Sequence, residues 1–391
     1  MKAVILAAGQ GTRVSPLSDN YPKVLLPVAG KPSIFHTFDS VVDFVDEIIV
    51  VDNKEGKLKE NIGDLYNGKK ISYAIQENPR GTGDSLKHAN ITGKFIVMMG
   101  DDIYSKEDVA SLLPYDLAIA VMPTNEPHRF GIVKEQNGFM TDLVEKPKDL
   151  QTGLANNGLY LLDERIFDEL KNVKESLRGE IELTDAVASL ARKTKISVVQ
   201  IKDWIPVTYS WNLLEANEKL LAKMKGGIEG VVEQGATLKG EVHVGKGSVV
   251  KAGSYIEGPV WIGENSTVGP NCYLRASTMI GNNCYVGNAV EIKNSIIMNG
   301  THVGHLSYVG DSVVGEKCNF GAGTITANLR YDGQPVKMTV KGERISTGRR
   351  KMGVIMGHGA KTGIHVSIMP GVKIKSGAMV APHTNVERDV E

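Results

Sequence analysis

A six-residue period governs the second half of the chain. An apolar residue recurs at every sixth position from Val232 to Met298, and the period resumes from Met356 to Val386, where Thr362 is its one polar member. A small or β-branched residue follows most of these positions by four. Such a period is typical of a parallel β-helix, because each hexad forms one strand and a turn and stacked coils bury the repeated apolar position.

The repeat is uneven in two places. It slips between Met298 and Val303, and it is interrupted at residues 327–353. The interruption is polar and cationic, so we expect an inserted loop that projects from the β-helix, and its charge favours a solvated surface over a site. Cys272 and Cys284 fall in the small interior position of the repeat, which predicts a packing role.

The first half alternates strand-like and helix-like segments. The predicted strands are residues 2–6, 47–51, 71–76, 95–99 and 117–122, and the predicted helices are residues 33–44, 57–66, 84–89 and 106–112. This alternation indicates an α/β domain with a Rossmann-like, mixed but mostly parallel sheet. A short polar, Gly-containing linker at residues 223–227 then separates two domains, predicted as 1–225 and 226–391.

Composition excludes several classes of protein. The 391 residues contain 45 Lys+Arg and 45 Asp+Glu, so no excess of positive charge favours nucleic acid. We expect no membrane span and no signal peptide, because no apolar run is long enough and the N-terminus lacks the pattern. Three cysteines without a Cys-x-x-Cys pair argue against a disulfide framework or a zinc site. A cytoplasmic protein is the expectation.

Special residues follow three predicted strands, where ligands bind in open α/β sheets. Gly9-Gln-Gly-Thr-Arg13 matches neither the dinucleotide fingerprint nor the P-loop, and it is either a triphosphate-binding loop or a plain βα turn. Gly81-Thr82-Gly83 could simply open a helix. Asp101, after an apolar strand, is placed either to hold Mg²⁺ or to serve as an exposed turn residue or helix cap.

Taken together, these residues resemble a known family. The chain carries in order Leu6-Ala-Ala-Gly-x-Gly-Thr-Arg13, Pro22-Lys23, Gly81-Thr82, Gly100-Asp101, Glu145-Lys-Pro147 and Trp211-Asn212. This combination is similar to the sugar-phosphate nucleotidylyltransferases across nearly the whole first half. The resemblance implies transfer of a nucleotidyl group from an NTP to a sugar-1-phosphate, with release of pyrophosphate.

The resemblance also implies individual roles. Arg13 would contact the β- and γ-phosphates, Lys23 would lie between the α-phosphate and the attacking phosphate, and Asp101 and Asn212 would be the Mg²⁺ ligands. The positions matching the base and ribose site are Leu6, Ala8, Gly9, Gln76 and Gly81, and those matching the sugar site are Gly131, Glu145 and Asn156. Many relatives have Asp at position 212, and the neutral amide would bind Mg²⁺ less strongly than a carboxylate.

The irregular part of the repeat resembles a second group. His305-Leu-x-Tyr308-x-Gly-Asp311, followed by Asn319-x-Gly-Ala322-Gly-Thr and Asn328, is similar to the acetyltransferase half of bifunctional UDP-N-acetylglucosamine synthesis enzymes. The resemblance implies N-acetylation of an amino sugar phosphate by acetyl-CoA. It further implies that the β-helix is left-handed and forms a homotrimer.

In that site His305 would be the general base, a role that histidine takes most often among side chains. The residues matching acceptor contacts are Arg275, Lys293, Tyr308, Asn319, Asn328 and Lys337, and the backbone N–H of Ala322 would face the developing oxyanion of the acetyl-CoA reaction. The segment after Asn328 is longer than in the bacterial enzymes, so Lys337 matches its position less closely than His305 does.

Three functions are compatible with these patterns. The leading one is a bifunctional enzyme that acetylates glucosamine-1-phosphate, or galactosamine-1-phosphate, and transfers a nucleotidyl group from UTP or dTTP to N-acetylglucosamine-1-phosphate or glucose-1-phosphate. The second is a monofunctional nucleotidylyltransferase whose β-helix serves only oligomerisation. The third is a non-catalytic regulatory subunit that keeps both folds for assembly. A base among the interrupted repeats and intact Arg13, Lys23 and Asp101 favour the first.

Overall fold

The computed structural model describes residues 1–176 and 179–391. Its contacts divide the chain into two compact units: Met1–Gln10 with Ser33–Pro206, and Gly11–Pro32 with Val207–Glu391. The segment that contains Arg13 and Lys23 therefore belongs to the same unit as the C-terminal half. The domain boundary near residue 225 remains a prediction of the sequence.

Within its described residues, the first unit is built on one ten-stranded sheet. Across the sheet the strands are, in order, Leu65–Tyr66, Lys69–Gln76, Glu47–Asn53, Lys2–Leu6, Lys94–Met99, Gly153–Asp163, Ala118–Thr124, Ser197–Gln200, Phe139–Glu145 and Gly131–Gln136. Four neighbouring strands of this sheet run parallel. Their last residues, Gln76, Asn53, Leu6 and Met99, therefore lie along the same side of the sheet, at the carboxyl ends of the strands. The α/β prediction is confirmed.

Four helices of this unit lie close to predicted positions: Ser33–Val41, Lys57–Ile62, Thr82–Lys87 and Lys106–Leu112. The described part of the unit also contains the helices Arg165–Asn172 and Leu183–Ala191 and short 3₁₀ turns at Val42–Phe44 and Pro127–Arg129. The helix predicted over 57–66 is too long: it ends at Ile62, and Leu65–Tyr66 is a strand. Gly63 stops it, because its φ of 80° leaves the helical region while its N–H caps the Lys59 carbonyl.

The second unit contains the β-helix. Residues 226–391 are all described and form three parallel sheets of eight strands each. The first sheet comprises Gly227–Ile228, Val242–Val244, Val260–Ile262, Thr278–Ile280, Ile296–Ile297, Val313–Val314, Ile355–Met356 and Lys373–Ile374. The second comprises Val231–Val232, Val249–Val250, Thr267–Val268, Tyr285–Val286, His302–Val303, Asn319–Phe320, Lys361–Thr362 and Met379–Val380. The third comprises Thr237–Lys239, Tyr255–Glu257, Tyr273–Arg275, Glu291–Lys293, Tyr308–Gly310, Ile325–Thr326, Ser367–Ile368 and Asn385–Val386.

The register follows directly from the hexapeptide period. Val231 pairs with Val249, so one coil takes three hexads. Across the slip the coil is one residue shorter, and Tyr285 pairs with His302. The repeated apolar residues and all three cysteines line a buried interior. The stacked sheets are consistent with a left-handed β-helix and confirm the predicted fold class.

The second unit also contains elements outside the three sheets. Asn212–Leu221 is a helix, Lys23–Leu25 is a 3₁₀ turn, and Pro27–Val28 pairs with Lys31–Pro32. The insertion expected as a projecting polar loop contains a hairpin, Lys337–Val340 with Glu343–Ser346. Its Val336, Met338 and Val340 are buried, so its apolar positions give the insertion a packed face. In the described parts of the chain, no helix has the length and hydropathy to cross a bilayer.

Candidate functional site

The predicted base-binding residues Gln76 and Gly81 lie together in the first unit. Gln76 ends a strand and is buried, and its side-chain nitrogen donates to the Asp84 carboxylate at 2.8 Å and to the Gly81 carbonyl at 3.4 Å. Since both N–H bonds point at protein oxygens, the group that Gln76 offers to a base is its Oε1 acceptor. Asp84, which sequence reasoning did not single out, orients this amide.

Gly81 is required by its backbone. Its φ is 99°, and a Cβ there would lie 2.6 Å from the Ile181 carbonyl oxygen. The close approach brings the turn at Gly81 against residues 180–182 and starts the helix Thr82–Lys87. Gly81 therefore sets the position of the loop that connects Gln76 to the helix Thr82–Lys87.

Leu6, Ala8 and Gly9 continue from the central strand at the edge where the parallel strands end. Leu6 pairs with Val51 on one side and Met99 on the other. The Gly100 N–H donates to the Leu6 carbonyl at 3.0 Å, and a Cβ at Gly100 would lie 3.2 Å from the Ala7 Cβ. The small residues Ala7 and Gly100 thus allow the chain to turn at the ends of the neighbouring strands Lys2–Leu6 and Lys94–Met99. Asp101 directly follows Gly100.

Two neighbouring aspartates, Asp101 and Asp102, follow the strand Lys94–Met99 and Gly100. The Asp102 carboxylate accepts a hydrogen bond from the Trp204 indole at 2.9 Å, so it supports the fold locally. Asp101 and Asp102 both act on buried Tyr104: its burial, with these two charges, raises its pKa well above the ordinary value. A carboxylate and an amide oxygen are donors that suit Mg²⁺, which takes few protein ligands beside phosphate oxygens.

Gly131, Glu145 and Asn156 also come together in the first unit. Gly131 and Glu145 are cross-strand partners, and a Cβ at Gly131 would lie 2.9 Å from Glu145 Oε2 and 3.9 Å from the Asn156 Cβ. The Asn156 side chain donates to the Tyr160 hydroxyl at 2.7 Å and accepts from the Gly158 N–H at 3.1 Å. Three predicted sugar-binding residues thus share one surface.

In the second unit, Arg13 is exposed and Lys23 half-buried, at the two ends of residues 13–23. Gly11 has φ 65°, and a Cβ there would lie 2.9 Å from the Lys23 Cβ. The Gly11 carbonyl accepts from the Val14 N–H and the Ser18 hydroxyl, each at 2.8 Å. These contacts fold the glycine turn onto Lys23. Asn212 is buried at the start of its helix and accepts from the Tyr209 N–H at 2.9 Å.

The predicted acceptor residues Arg275, Lys293 and Tyr308 lie on three successive strands of the third β-helix sheet. Arg275 pairs in register with Lys293, and Tyr308 with Glu291. The Arg275 guanidinium donates to Glu291 at 3.0 Å, a carboxylate that sequence reasoning missed. The signal for Glu291 was its position two residues before Lys293 on the same face of a strand.

Asp311 is the buried centre of a polar cluster that we call the Asp311 cluster, formed with the partly exposed Lys293, Asn294 and Asn328. Its carboxylate accepts from Lys293 at 2.9 and 3.1 Å, from Asn294 at 2.9 Å and from Asn328 at 2.6 Å. The Asn328 amide also donates to the Tyr308 hydroxyl at 3.0 Å. Asp311 belongs to the sequence motif but is not among the predicted site residues, although an acidic residue beside interior positions signals a paired charge.

The other predicted residues of this half lie elsewhere. His305 is exposed at the corner between the second and third sheets, and its carbonyl accepts from the Ser307 hydroxyl at 2.7 Å. Ala322 lies at the same corner one coil later, where the Gly323 N–H reaches the His305 carbonyl at 3.3 Å. Asn319 belongs to the second sheet and Lys337 to the hairpin, and both are exposed.

Comparison with known proteins identifies the family. A model described as nucleotidyl transferase matches residues 2–223, more than half of the chain, and one described as the GMPPB C-terminal domain matches residues 256–352. The bifunctional protein GlmU of Methanocaldococcus jannaschii is 43% identical over 100% of this chain and 96% of its own length. The chain belongs to the nucleotidyl transferase family, in its GlmU group.

Other members of this group match as completely. A bifunctional sugar-1-phosphate nucleotidylyltransferase/acetyltransferase of Sulfurisphaera tokodaii is 37% identical over 100% of this chain and 98% of its own length. Among solved structures, a putative glucose-1-phosphate thymidylyltransferase from Bacillus anthracis covers 58% of this chain and 97% of its own, with 27% identity and a TM-score of 0.52. Family membership therefore makes this GlmU-type chain a transferase.

Proposed function

We propose that the chain is a bifunctional enzyme that N-acetylates an amino-sugar-1-phosphate, glucosamine-1-phosphate first, and transfers a uridylyl or thymidylyl group to a sugar-1-phosphate, N-acetylglucosamine-1-phosphate first. The observation that carries the proposal is the match along the whole chain to bifunctional relatives. The Lys293 cation and the two amides that the Asp311 carboxylate holds support the acetyltransferase half, because a β-helix that only builds oligomers has no need of them.

In nucleotidyl transfer a phosphate oxygen of the sugar-1-phosphate attacks the α-phosphorus of the NTP in line. The new P–O bond forms as the bond to the β-phosphate breaks, and pyrophosphate leaves. Arg13 would neutralise the leaving pyrophosphate, and Lys23 would hold the α-phosphate and the attacking phosphate, so that catalysis is mainly positioning and charge neutralisation. Mg²⁺, held by Asp101 and Asn212, would stabilise the charge on the reacting phosphates.

The base preference is proposed from Gln76. Its Oε1 accepts hydrogen bonds, since its nitrogen is used by Asp84 and Gly81. Uracil and thymine carry an N3–H donor and cytosine does not, so this acceptor favours UTP or dTTP over CTP. Leu6, Ala8 and Gly9 would contact the base and ribose, and Gly131, Glu145 and Asn156 the sugar hydroxyls.

In acetyl transfer the amine of the amino sugar attacks the thioester carbonyl of acetyl-CoA. His305 would take one proton of the ammonium and the C–N bond would form; the C–S bond would then break, and the second proton lost from nitrogen would pass to the departing CoA sulfur. Arg275, Lys293 and Lys337 would bind the sugar phosphate, with Tyr308 and Asn319 adding contacts. Asn328 would orient the amine, and the Ala322 N–H would stabilise the oxyanion. We further propose a homotrimer through the β-helix and a cytoplasmic location.

One assay panel tests the proposal. The purified chain is incubated with each of four NTPs and with glucose-, glucosamine-, galactosamine- or N-acetylglucosamine-1-phosphate, with and without acetyl-CoA. We expect pyrophosphate release with UTP or dTTP, and free CoA only with an amino-sugar phosphate. Pyrophosphate release without any CoA release from either amino sugar would instead identify a monofunctional nucleotidylyltransferase.

A further inference from the structure

Residues 11–23, which we call the signature segment, pack within the same compact unit as the β-helix. Arg13 lies near its start and Lys23 at its end, and Gly11 lies so close to Lys23 that a Cβ at Gly11 would be 2.9 Å from the Lys23 Cβ. Between them the chain makes successive turns, with N–H to carbonyl bonds from Leu17 to Val14 and from Tyr21 to Ser18. A contact that fixes the conformation of these turns therefore also fixes the distance between Arg13 and Lys23.

One corner of the β-helix carries a ladder of side chains. The Glu264 N–H donates to Asn282 Oδ1, and the Asn282 N–H donates to Asn299 Oδ1, each at 2.8 Å and one coil apart. Further along, the Glu316 N–H donates to His358 Nδ1 at 3.0 Å, and the His358 N–H donates to Ser376 Oγ at 3.1 Å. His358 thus accepts a backbone hydrogen bond from the preceding coil, as Asn282 and Asn299 do in earlier coils.

His358 makes one contact that the ladder does not require. Because its Nδ1 accepts a backbone hydrogen bond, the ring proton is on Nε2, and Nε2 donates to the Leu17 carbonyl of the signature segment at 2.8 Å. The next ladder residue behaves alike, since the Ser376 hydroxyl donates to the Pro16 carbonyl at 3.1 Å. Two adjacent carbonyl groups are therefore held by two successive coils.

A stacked ring strengthens the same contact. Tyr21 lies against the His358 imidazole with ring centroids 4.7 Å apart and an angle of 21° between the planes. Burial raises the pKa of the Tyr21 hydroxyl, and the negative charge of nearby Glu316 raises it further. The signature segment is thus fixed to this corner at Pro16, Leu17 and Tyr21.

We propose that His358 is a positioning residue for nucleotidyl transfer: it holds the signature segment through Leu17 and Tyr21, so that Arg13 and Lys23 keep the spacing that the reacting phosphates require. The inference rests on the proposed function of Arg13 and Lys23. It gives the β-helix a part in the first reaction that is separate from both acetyl transfer and oligomerisation.

The asparagines of the ladder supply the test variant. In His358→Asn the amide oxygen can still accept from the Glu316 N–H, as in the asparagine coils, but the side chain no longer reaches Leu17 or stacks on Tyr21. His358→Gln restores a nitrogen donor near the position of Nε2. His383→Ala, at an exposed histidine of the same β-helix, is the matched control.

With UTP and N-acetylglucosamine-1-phosphate, we expect His358→Asn to lower kcat about tenfold, since small misplacements of catalytic groups have large effects on rate. The KM for UTP should change less, His358→Gln should recover part of kcat, and His383→Ala should match wild type. Acetyl transfer and the thermal midpoint should be unchanged in all three. A wild-type kcat in His358→Asn would overturn the inference.

Hydrogen exchange separates this inference from the proposed function. In the full chain, the amides of residues 14–22 should exchange faster in His358→Asn than in wild type, with the β-helix amides unaltered. Unchanged exchange would overturn the positioning role whatever the substrate. Wild-type protein that releases pyrophosphate from none of the four NTPs would overturn the proposed function, and faster exchange in the variant would still support the hold of His358 on the signature segment.

Discussion

The Asn328 amide donates a 2.6 Å hydrogen bond to the buried carboxylate of Asp311, and the same carboxylate accepts from Lys293. The two predicted acceptor residues are therefore oriented by one group. Replacing Asp311 with Asn removes the negative charge that pairs with Lys293. It also replaces one of the two acceptor oxygens with an NH2 donor, so the side chain can no longer accept from both Lys293 and Asn328 in the same way. We expect acetyl transfer to fall about a hundredfold, as misplaced groups commonly cause.

Stability should respond to the same substitution. Losing one partner of a fully buried ion pair lowers the free energy of unfolding by about 3 kcal/mol or more. Because the Lys293 side chain is partly exposed, we expect Asp311→Asn to lower it by about 3 kcal/mol or less. Urea unfolding measures this cost, and pyrophosphate release should stay at the wild-type rate. Acetylation at the wild-type rate would mean that Asp311 serves the fold alone.

His305→Ala should abolish most acetyl-CoA-dependent acetylation of glucosamine-1-phosphate. The loss expected for a missing general base is about 10²- to 10⁴-fold, while pyrophosphate release from the NTP should remain. His302→Ala is the control, because His302 is also exposed and lies three residues earlier on the same β-helix. If His305→Ala acetylates as fast as His302→Ala, His305 is not the base.

Asp101→Ala should impair nucleotidyl transfer and leave acetyl transfer intact, the reverse of His305→Ala. We expect nucleotidyl transfer to fall about a thousandfold, since a bound metal supplies several kcal/mol of charge stabilisation, and chelation of Mg²⁺ by EDTA should have a similar effect on wild type. Free CoA release should persist in both cases. Asp102→Asn, which perturbs the bond to Trp204, should lower stability without altering the Mg²⁺ concentration needed for half-maximal rate.

Asp84→Asn should weaken base selection. An asparagine can present N–H groups to Gln76, so the Gln76 amide can rotate and offer its nitrogen to the base. Loss of one hydrogen bond of about 1 kcal/mol predicts a several-fold higher KM for UTP. Competition between UTP and CTP measures the change, with His88→Ala as control because that imidazole is 3.7 Å from the same carboxylate. An unchanged UTP preference would contradict the role of Gln76.

The three cysteines should be unreactive in the native protein. Burial raises the pKa of Cys272 and Cys284 to about 11 and that of Cys318 to about 12, so the thiolate fraction at pH 8 is very small. A chromogenic disulfide reagent at pH 8 should detect no thiol within minutes in native protein and all three after unfolding in guanidinium. Rapid native labelling would mean that the β-helix interior opens easily.

Periodic and local signals predicted most of the fold. The hexapeptide period predicted the interior of the β-helix from Val232 to Ile292 and again from Met356 to Val386, because the coils in these two stretches repeat the same burial. Strand ends in the first half followed from apolar runs such as Lys2–Leu6. The helix predicted over 57–66 failed because Gly63 ends it, and the polar appearance of residues 327–353 concealed the buried face of a hairpin.

The sequence alone determined the α/β sheet and the β-helix and supplied the candidate residues for phosphate, Mg²⁺ and amine chemistry, because these depend on periodicity and on motifs within a few residues. Tertiary structure alone decided which distant residues meet. It joined Gln76 to Asp84, Asp311 to Lys293 and Asn328, and His358 to Leu17, which is 341 residues away. No pattern along the chain contains such pairs, since hydrogen bonds between distant residues are set by how the coils and turns pack.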